Sequence, residues 1–310
     1  MPLVTTKYTQ GEPELPYLVN SLEKLDYSVT VDSFKDSTPR GTKRFRNIIA
    51  RYQPDIAKRY ITLACHYDSK DCSSKSGLCV PGTHSFAFEA ATDSAVPCAL
   101  LLDTAERLKP WMDTRRNREV SVQLLFLDGE EALESWTATD SLYGARHLAE
   151  LWHTKEVAIN GVPSGANHLD QIDAFVLLDL LGVANPQVHN YPQNRDRVYH
   201  ELPRVESALR FRVGNCMKDV PVIFTGQDFN YVGKEGIQDD HISFLRKGVP
   251  VVHIIRYPFP SVWHREEDNR SYLHTDTIHN LASILRVFTA HYLHLDPSAL
   301  PGFQAPASSG

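Results

Sequence analysis

The chain reads as an α/β fold, a sandwich of helices around a largely parallel sheet. Two observations predict it. Short apolar runs of strand length recur with few charges, as in strands covered on both faces. Segments with helical spacing of apolar residues alternate with them, the order that builds parallel sheets. Tyr60–Ala64 is the first such strand. Asp93–Leu108 reads as a helix with Asp93 near its start and Pro97 in an early turn, where proline is tolerated. Val120–Leu127 is the next strand, broken by Asp128-Gly129. Ser141–Trp152 is a helix, and Ala174–Leu178 a buried strand ending at Asp179. The polar span from Asn185 to Asn230 is the hardest to read and holds one helix around Arg204–Val213. Val249–Ile255 is a strand; Asp276–Tyr292 is an amphipathic helix with Ile278, Leu281, Leu285, Phe288 and Tyr292 on one face. No repeat and no second domain is visible, so residues 1–295 are expected to form one catalytic domain. The tail 296–310, rich in Pro, Ser, Ala and Gly, is expected to be mobile.

Composition narrows the function. With 42% hydrophobic residues among 310, a substantial core is possible. A net charge of -6 leaves no basic excess to neutralise phosphates, which argues against nucleic acid. No apolar run approaches the ~20 residues of a membrane helix. The first residues, Met1-Pro-Leu-Val-Thr-Thr-Lys7, lack the apolar core of a signal peptide. The expectation is a cytosolic chain or one that begins after a removed signal. The cysteines favour the second. Cys65, Cys72, Cys79 and Cys98 fall close together without a Cys-x-x-Cys spacing, so disulfides and a secretory compartment are the better reading than a zinc knuckle. Bonding Cys65 to Cys98 would close a loop worth roughly 3–4 kcal/mol on the chain-entropy model. Cys72 and Cys79 could then close a small loop, leaving Cys216 as a buried free thiol. Asn269-Arg270-Ser271 is a glycosylation sequon, weak support for the same compartment.

Ionisable residues gather where the strands stop. His66 follows the first strand, Asp93 opens a helix, Glu130 and Glu131 follow the second strand, Asp179 closes the third, and His264 follows the last after a turn. Each alone has an ordinary explanation, such as a helix cap, a turn residue, a core histidine or an exposed acidic turn. Together they are specific, because open α/β sheets bind ligands beyond the carboxyl ends of their strands. Neighbouring side chains of an extended backbone point to opposite sides, so Glu130 and Glu131 can divide two tasks. Two carboxylates and a histidine suit a catalytic zinc with an open position. By spacing, Asp93, Glu131 and His264 fit; cobalt or manganese would suit the same donors.

Six runs carry a resemblance: Ala64–Lys70, Ala91–Cys98, Phe126–Ala132, Asp140–Gly144, Ile237–His241 and Pro258–His264. In this order they resemble the animal-type, zinc-dependent glutaminyl-peptide cyclotransferases, over roughly Ser37–Leu295. That resemblance implies a three-layer α/β/α sandwich around a twisted mixed sheet, related to zinc aminopeptidases. It implies one zinc per chain on Asp93, Glu131 and His264, with Glu130 as general acid/base. Asp179 and Asp239 would hydrogen-bond near the reacting amine and carboxamide, and to each other. Trp136, Ile237, Phe259 and Trp263 would line the pocket, with a backbone contact from Gln238, and Cys65 and Cys98 would form the family's disulfide. Two segments depart from the pattern: the longer loop 71–86 and the stretch Asn230–Gly236.

The implied reaction is cyclisation of N-terminal glutamine, and more slowly glutamate, to pyroglutamate, with zinc polarising the amide oxygen. The implied partners are peptides or proteins bearing that residue, with a monomer and no membrane partner. The competing reading is a two-zinc aminopeptidase, in which His66 and Asp179 would join a second ion. A binding module that kept only the fold would be expected to have lost ligands or base, and here all are present.

Overall fold

The computed structural model describes residues 14–71, 88–159, 162–211, 216–229, 236–296 and 298. Cys72 and Cys79 lie outside them, as do most of the loop 71–86, residues 230–235 and nearly all of the tail.

A six-stranded mixed sheet forms the centre. Its strands are β1 (Tyr27–Thr38), β2 (Gly41–Tyr52), β3 (Arg59–His66), β4 (Val120–Leu127), β7 (Ile172–Asp179) and β10 (Val251–Ile255), in the order β1-β2-β4-β3-β7-β10. The four strands β4, β3, β7 and β10 run parallel; β2 joins them antiparallel and hairpins to β1. Two small pairs lie apart: β5 (Glu156–Ile159) with β6 (Val162–Asn167), and β8 (Val188–Asn190) with β9 (Phe224–Asp228).

Alternation along the parallel strands explains the layers. Ile61, Leu63 and Cys65 of β3, Val122, Leu124 and Phe126 of β4, and Val176 and Leu178 of β7 face one way. They pack under α1 (Glu14–Glu23), α2 (Val96–Thr114), α5 (Glu201–Phe211) and α7 (Thr275–Tyr292). Ala64, Leu125, Leu127, Phe175 and Leu177 face the other way, onto α3 (Tyr143–Thr154) and α6 (His241–Leu245). A short helix α4 (Asp196–Tyr199) precedes α5. Burial on both faces is why these strands read as near-continuous apolar runs. The result is the expected three-layer sandwich.

Two corrections follow. Asp93 does not open a helix: Asp93 (φ -124, ψ 65) and Ser94 (φ -140, ψ 41) are non-helical, Ala90 is left-handed, and α2 begins only at Val96. Pro97 lies in that helix's first turn, where its missing N–H costs no intrahelical bond. Cys216, expected to be buried, is exposed. The disulfide between Cys65 and Cys98 is present and ties β3 to α2.

Candidate active site

Because β3, β4, β7 and β10 are parallel, their carboxyl ends share one edge: His66 pairs with Leu127, and Ile255 with Asp179. Beyond that edge lies a cavity of about 320 Å³ lined by Lys70, Asp93, Glu130, Glu131, Trp136, Asp179, Leu180, Ile237, Gln238, Asp239, Ile255, Tyr257, Phe259, Trp263 and His264. The site residues expected from sequence lie on its wall, apart from the disulfide and His66, which is fully buried behind Asp93 and Asp179. A larger groove along α5, about 740 Å³ and lined by residues such as His200 and Arg204, brings together no comparable set of acids and bases among the described residues.

Local chemistry sets the two glutamates. Gly129 adopts φ +72, and a Cβ there would sit 2.6 Å from the Phe45 ring, so β4 ends in a turn only glycine fits. Asp68 then accepts the backbone N–H groups of Glu130 and Glu131, each at 3.1 Å. Both glutamates thus leave the strand held by one carboxylate and reach the same cavity. Asp140 does similar work for the next segment: it accepts from the N–H groups of Leu133, Glu134 and Ser135 and from the Tyr143 hydroxyl. That loop carries Trp136, which is 41% exposed, and Trp263 across the mouth is 40% exposed. Neither is a core tryptophan. Trp263 stacks on His264 with centroids 4.1 Å apart and meets Phe259 at 5.1 Å.

Donor atoms of Asp93, Glu131 and His264 all lie within 4.8 Å of one another, and all three residues are buried. His264 Nε2 is 3.0 Å from Glu131 Oε1 and 3.4 Å from Asp93 Oδ2. Among the described residues Asp93 Oδ2 and Glu131 Oε2 make no hydrogen bond, and Lys70 Nζ stands 3.5 Å from the latter. Burial works against charge on His264, yet the Glu131 and Asp93 carboxylates hold its imidazole up at about 10. Two buried carboxylates converging on one imidazole nitrogen, each with an oxygen not used in a hydrogen bond among the described residues, fit a cation such as zinc, which would take the place of the imidazole proton.

A second group, His66, Asp93 and Asp179, also brings its donor atoms within 4.8 Å. Here His66 is engaged from all sides: Nε2 lies 3.1 Å from Asp93 Oδ1 and 3.3 Å from Asp179 Oδ1, and Nδ1 is 3.1 Å from the Asp68 carbonyl. Ser94 Oγ donates to Asp179 at 3.1 Å. The expected bond between Asp179 and Asp239 is not made. The Asp239 carboxylate is instead taken by His253 Nε2 at 2.7 Å and by the N–H of Asp240 at 2.6 Å. His253 was not foreseen, since a lone histidine inside an apolar strand carries no signal of its own. Lys70, Ser94 and Tyr257 were also unassigned, although the first two lie inside the quoted runs.

Burial drives the Glu130 carboxyl well above the usual carboxylate range, against the pull of His66 and with the help of Glu131 and Asp239. Burial likewise pushes Asp179 up to about 6, opposed by the His66 hydrogen bond and aided by Asp239 and Asp93. A carboxyl poised near neutrality in a cleft suits proton transfer.

Comparison with known proteins agrees with this geometry. Residues 47–289 match the model of peptidase family M28. A glutaminyl-peptide cyclotransferase of Drosophila melanogaster is 42% identical over 286 residues, covering 89% of this chain and 73% of the relative. The crystal structure of Macrostomum lignano glutaminyl cyclase superposes with a TM-score of 0.76 at 36% identity, covering 95% of this chain and 87% of that one. A leucine aminopeptidase precursor from Bacteroides thetaiotaomicron (TM-score 0.69, 19% identity, 92% and 90% covered) shares the fold. Fold alone would leave peptidase and cyclase equal; it is the identity across most of the chain, with the acid–base cavity at the strand ends, that places this chain among the glutaminyl-peptide cyclotransferases of family M28.

Proposed function

We propose that the enzyme cyclises N-terminal glutamine of peptides to pyroglutamate with release of ammonia, and N-terminal glutamate more slowly with release of water. The observation that carries this reading is the single cavity in which Glu130 stands beside Asp93, Glu131 and His264, with Asp179 and Asp239 opposite and aromatic rings at the mouth. Asp93, Glu131 and His264 would hold one zinc, which when bound supplies Lewis-acid polarisation of the γ-carboxamide oxygen. The α-amine attacks the side-chain carbonyl carbon; a C–N bond forms, the bond to the amide nitrogen breaks, and a five-membered lactam results. Glu130 accepts the proton the amine loses and returns it to the departing nitrogen, which leaves as ammonia. A raised pKa makes Glu130 a stronger base than an exposed glutamate and a ready acid in the second half. Asp179 and Asp239 orient the amine and the leaving nitrogen. Both reacting groups belong to one residue, so the cavity's main task is to fold that side chain into a near-attack conformer. Glutamate is slower because a second carboxylate is repelled by Glu130, Asp179 and Asp239. The Cys65–Cys98 bond supports a secretory location.

Mass measurement on a synthetic Gln-initiated peptide tests the reading. Loss of ammonia with every residue retained is expected. Release of the first residue would establish the two-metal aminopeptidase instead, for which the His66, Asp93 and Asp179 group is the supporting observation.

A further inference from the structure

Asp93 and His264 come from segments 171 residues apart, and each sits in irregular backbone: Asp93 in the non-helical turn before α2, His264 at φ 56. Nothing in either segment's own secondary structure sets their separation. One side chain bridges them. Asp268 is 0% exposed, and its two oxygens both go to Thr92: Oδ1 accepts the backbone N–H at 2.8 Å and Oδ2 the hydroxyl at 3.0 Å. The Asp268 carbonyl accepts the N–H of Ala91 at 3.1 Å, and its own N–H is donated to the Arg265 carbonyl at 2.9 Å. Farther along, Glu89 accepts the N–H of Arg270 at 3.0 Å.

Asp268 therefore grips the residue immediately before Asp93 while anchored to the turn that immediately follows His264. We infer that Asp268 is a positioning residue: it staples the two ligand-bearing loops and so presets the gap between the Asp93 carboxylate and the His264 imidazole. The physical reason is general. Ligands on loops gain precision only when neighbouring hydrogen bonds lock them, and removal of such partners typically costs about 10–100-fold in metal affinity. Two bonds from one carboxylate to the backbone and hydroxyl of a single residue fix both the position and the rotation of the Asp93 segment. Asparagine can reproduce the pair, with its oxygen on the N–H and its amide donating to the hydroxyl, which then accepts. Alanine cannot.

The inference rests on the ligand assignment made above, and the experiment separates the two. Zinc dissociation constants are measured by chelator competition on purified full chains shown to be folded by circular dichroism. Asp268→Ala is expected to weaken zinc by about 10–100-fold, Asp268→Asn to restore it close to the parent value, and Thr92→Val to fall between, with Thr92→Ser restoring. Asn280→Ala, which removes a buried side chain bonded to the N–H and carbonyl of Lys218, serves as the stability control. It should lower Tm and leave zinc affinity unchanged. The inference is overturned if Asp268→Ala binds zinc like the parent, or loses no more affinity than Asn280→Ala. Should Asp268→Ala not fold, Thr92→Val decides, and parental affinity there overturns it equally. His264→Ala is the arm for the underlying reading: if it keeps parental affinity, the ligand assignment fails, whereas zinc loss there with none in Asp268→Ala defeats the staple alone.

Discussion

Glu130 and Glu131 are chemically identical neighbours that their surroundings make different. Glu131 faces the His264 imidazole and Lys70, whereas Glu130 is dominated by burial and by His66. Glu130→Gln keeps the shape of the side chain and removes the proton carrier. It should retain zinc by elemental analysis and lose about 10²–10⁴-fold in kcat; near-normal cyclisation would remove Glu130 from the mechanism. His241 offers a pH test away from turnover. It is fully buried, its ring lies tilted against that of His253 with centroids 4.2 Å apart, and among the described residues neither ring nitrogen finds a hydrogen bond. Burial, with the charge of His253 adding, lowers its pKa well below the ordinary value. The sign is then fixed. Below about pH 6.5 the unfolded chain takes a proton at this residue that the folded chain refuses, so stability falls as pH drops, by at most about 1.4 kcal/mol per pH unit. His241→Phe should remove that increment, read as a flatter Tm against pH from 6.5 to 5 relative to the parent. An unchanged slope would show that the imidazole titrates alike in both states.

At the scale of elements, the parallel strands deliver the backbone and the loops beyond them deliver the chemistry. The loop after β4 is held by Asp140, which satisfies three successive N–H groups without any regular structure. Asp140→Ala frees those donors and lets Trp136 move, while leaving Glu130 and Glu131 on their Asp68 anchor. Its effect should fall mainly on KM, rising about tenfold or more for a loss of at least 1.4 kcal/mol in substrate binding, with kcat changed less. A selective drop in kcat would instead place the Asp140 loop in the chemical step. Among the elements that the sequence hid, β1 and β2 show why patterning failed at the sheet's edge. β1 carries Asp32, Lys35 and Asp36 and is mostly exposed or half-buried, and the first four residues of β2 are exposed. They form the antiparallel edge of the sheet, where charged side chains are tolerated and the continuous apolar signature of a two-sided strand is absent.

For the whole molecule, the disulfide is, among the described residues, the one cross-link between the sheet and the helical layer that follows the Asp93 turn. It closes a separation of 33 residues, which on the chain-entropy model is worth roughly 3–4 kcal/mol. Cys65→Ser with Cys98→Ser should lower the unfolding free energy by that amount, read from denaturant titration, while the folded fraction still cyclises its substrate; loss of all activity in fully folded protein would give the bond a direct part in the site. The sequence by itself determined the sandwich, the four parallel strands at its centre and the ionisable residues that stand at their ends, because two-sided burial writes apolar runs and the strand ends announce themselves by charge. The irregular turn at Asp93, the coupling of Asp239 to His253 in place of Asp179, and the meeting of Asp268 with Thr92 were decided only by the tertiary structure. Hydrogen bonds between residues that are distant along the chain leave no periodicity for a sequence to display.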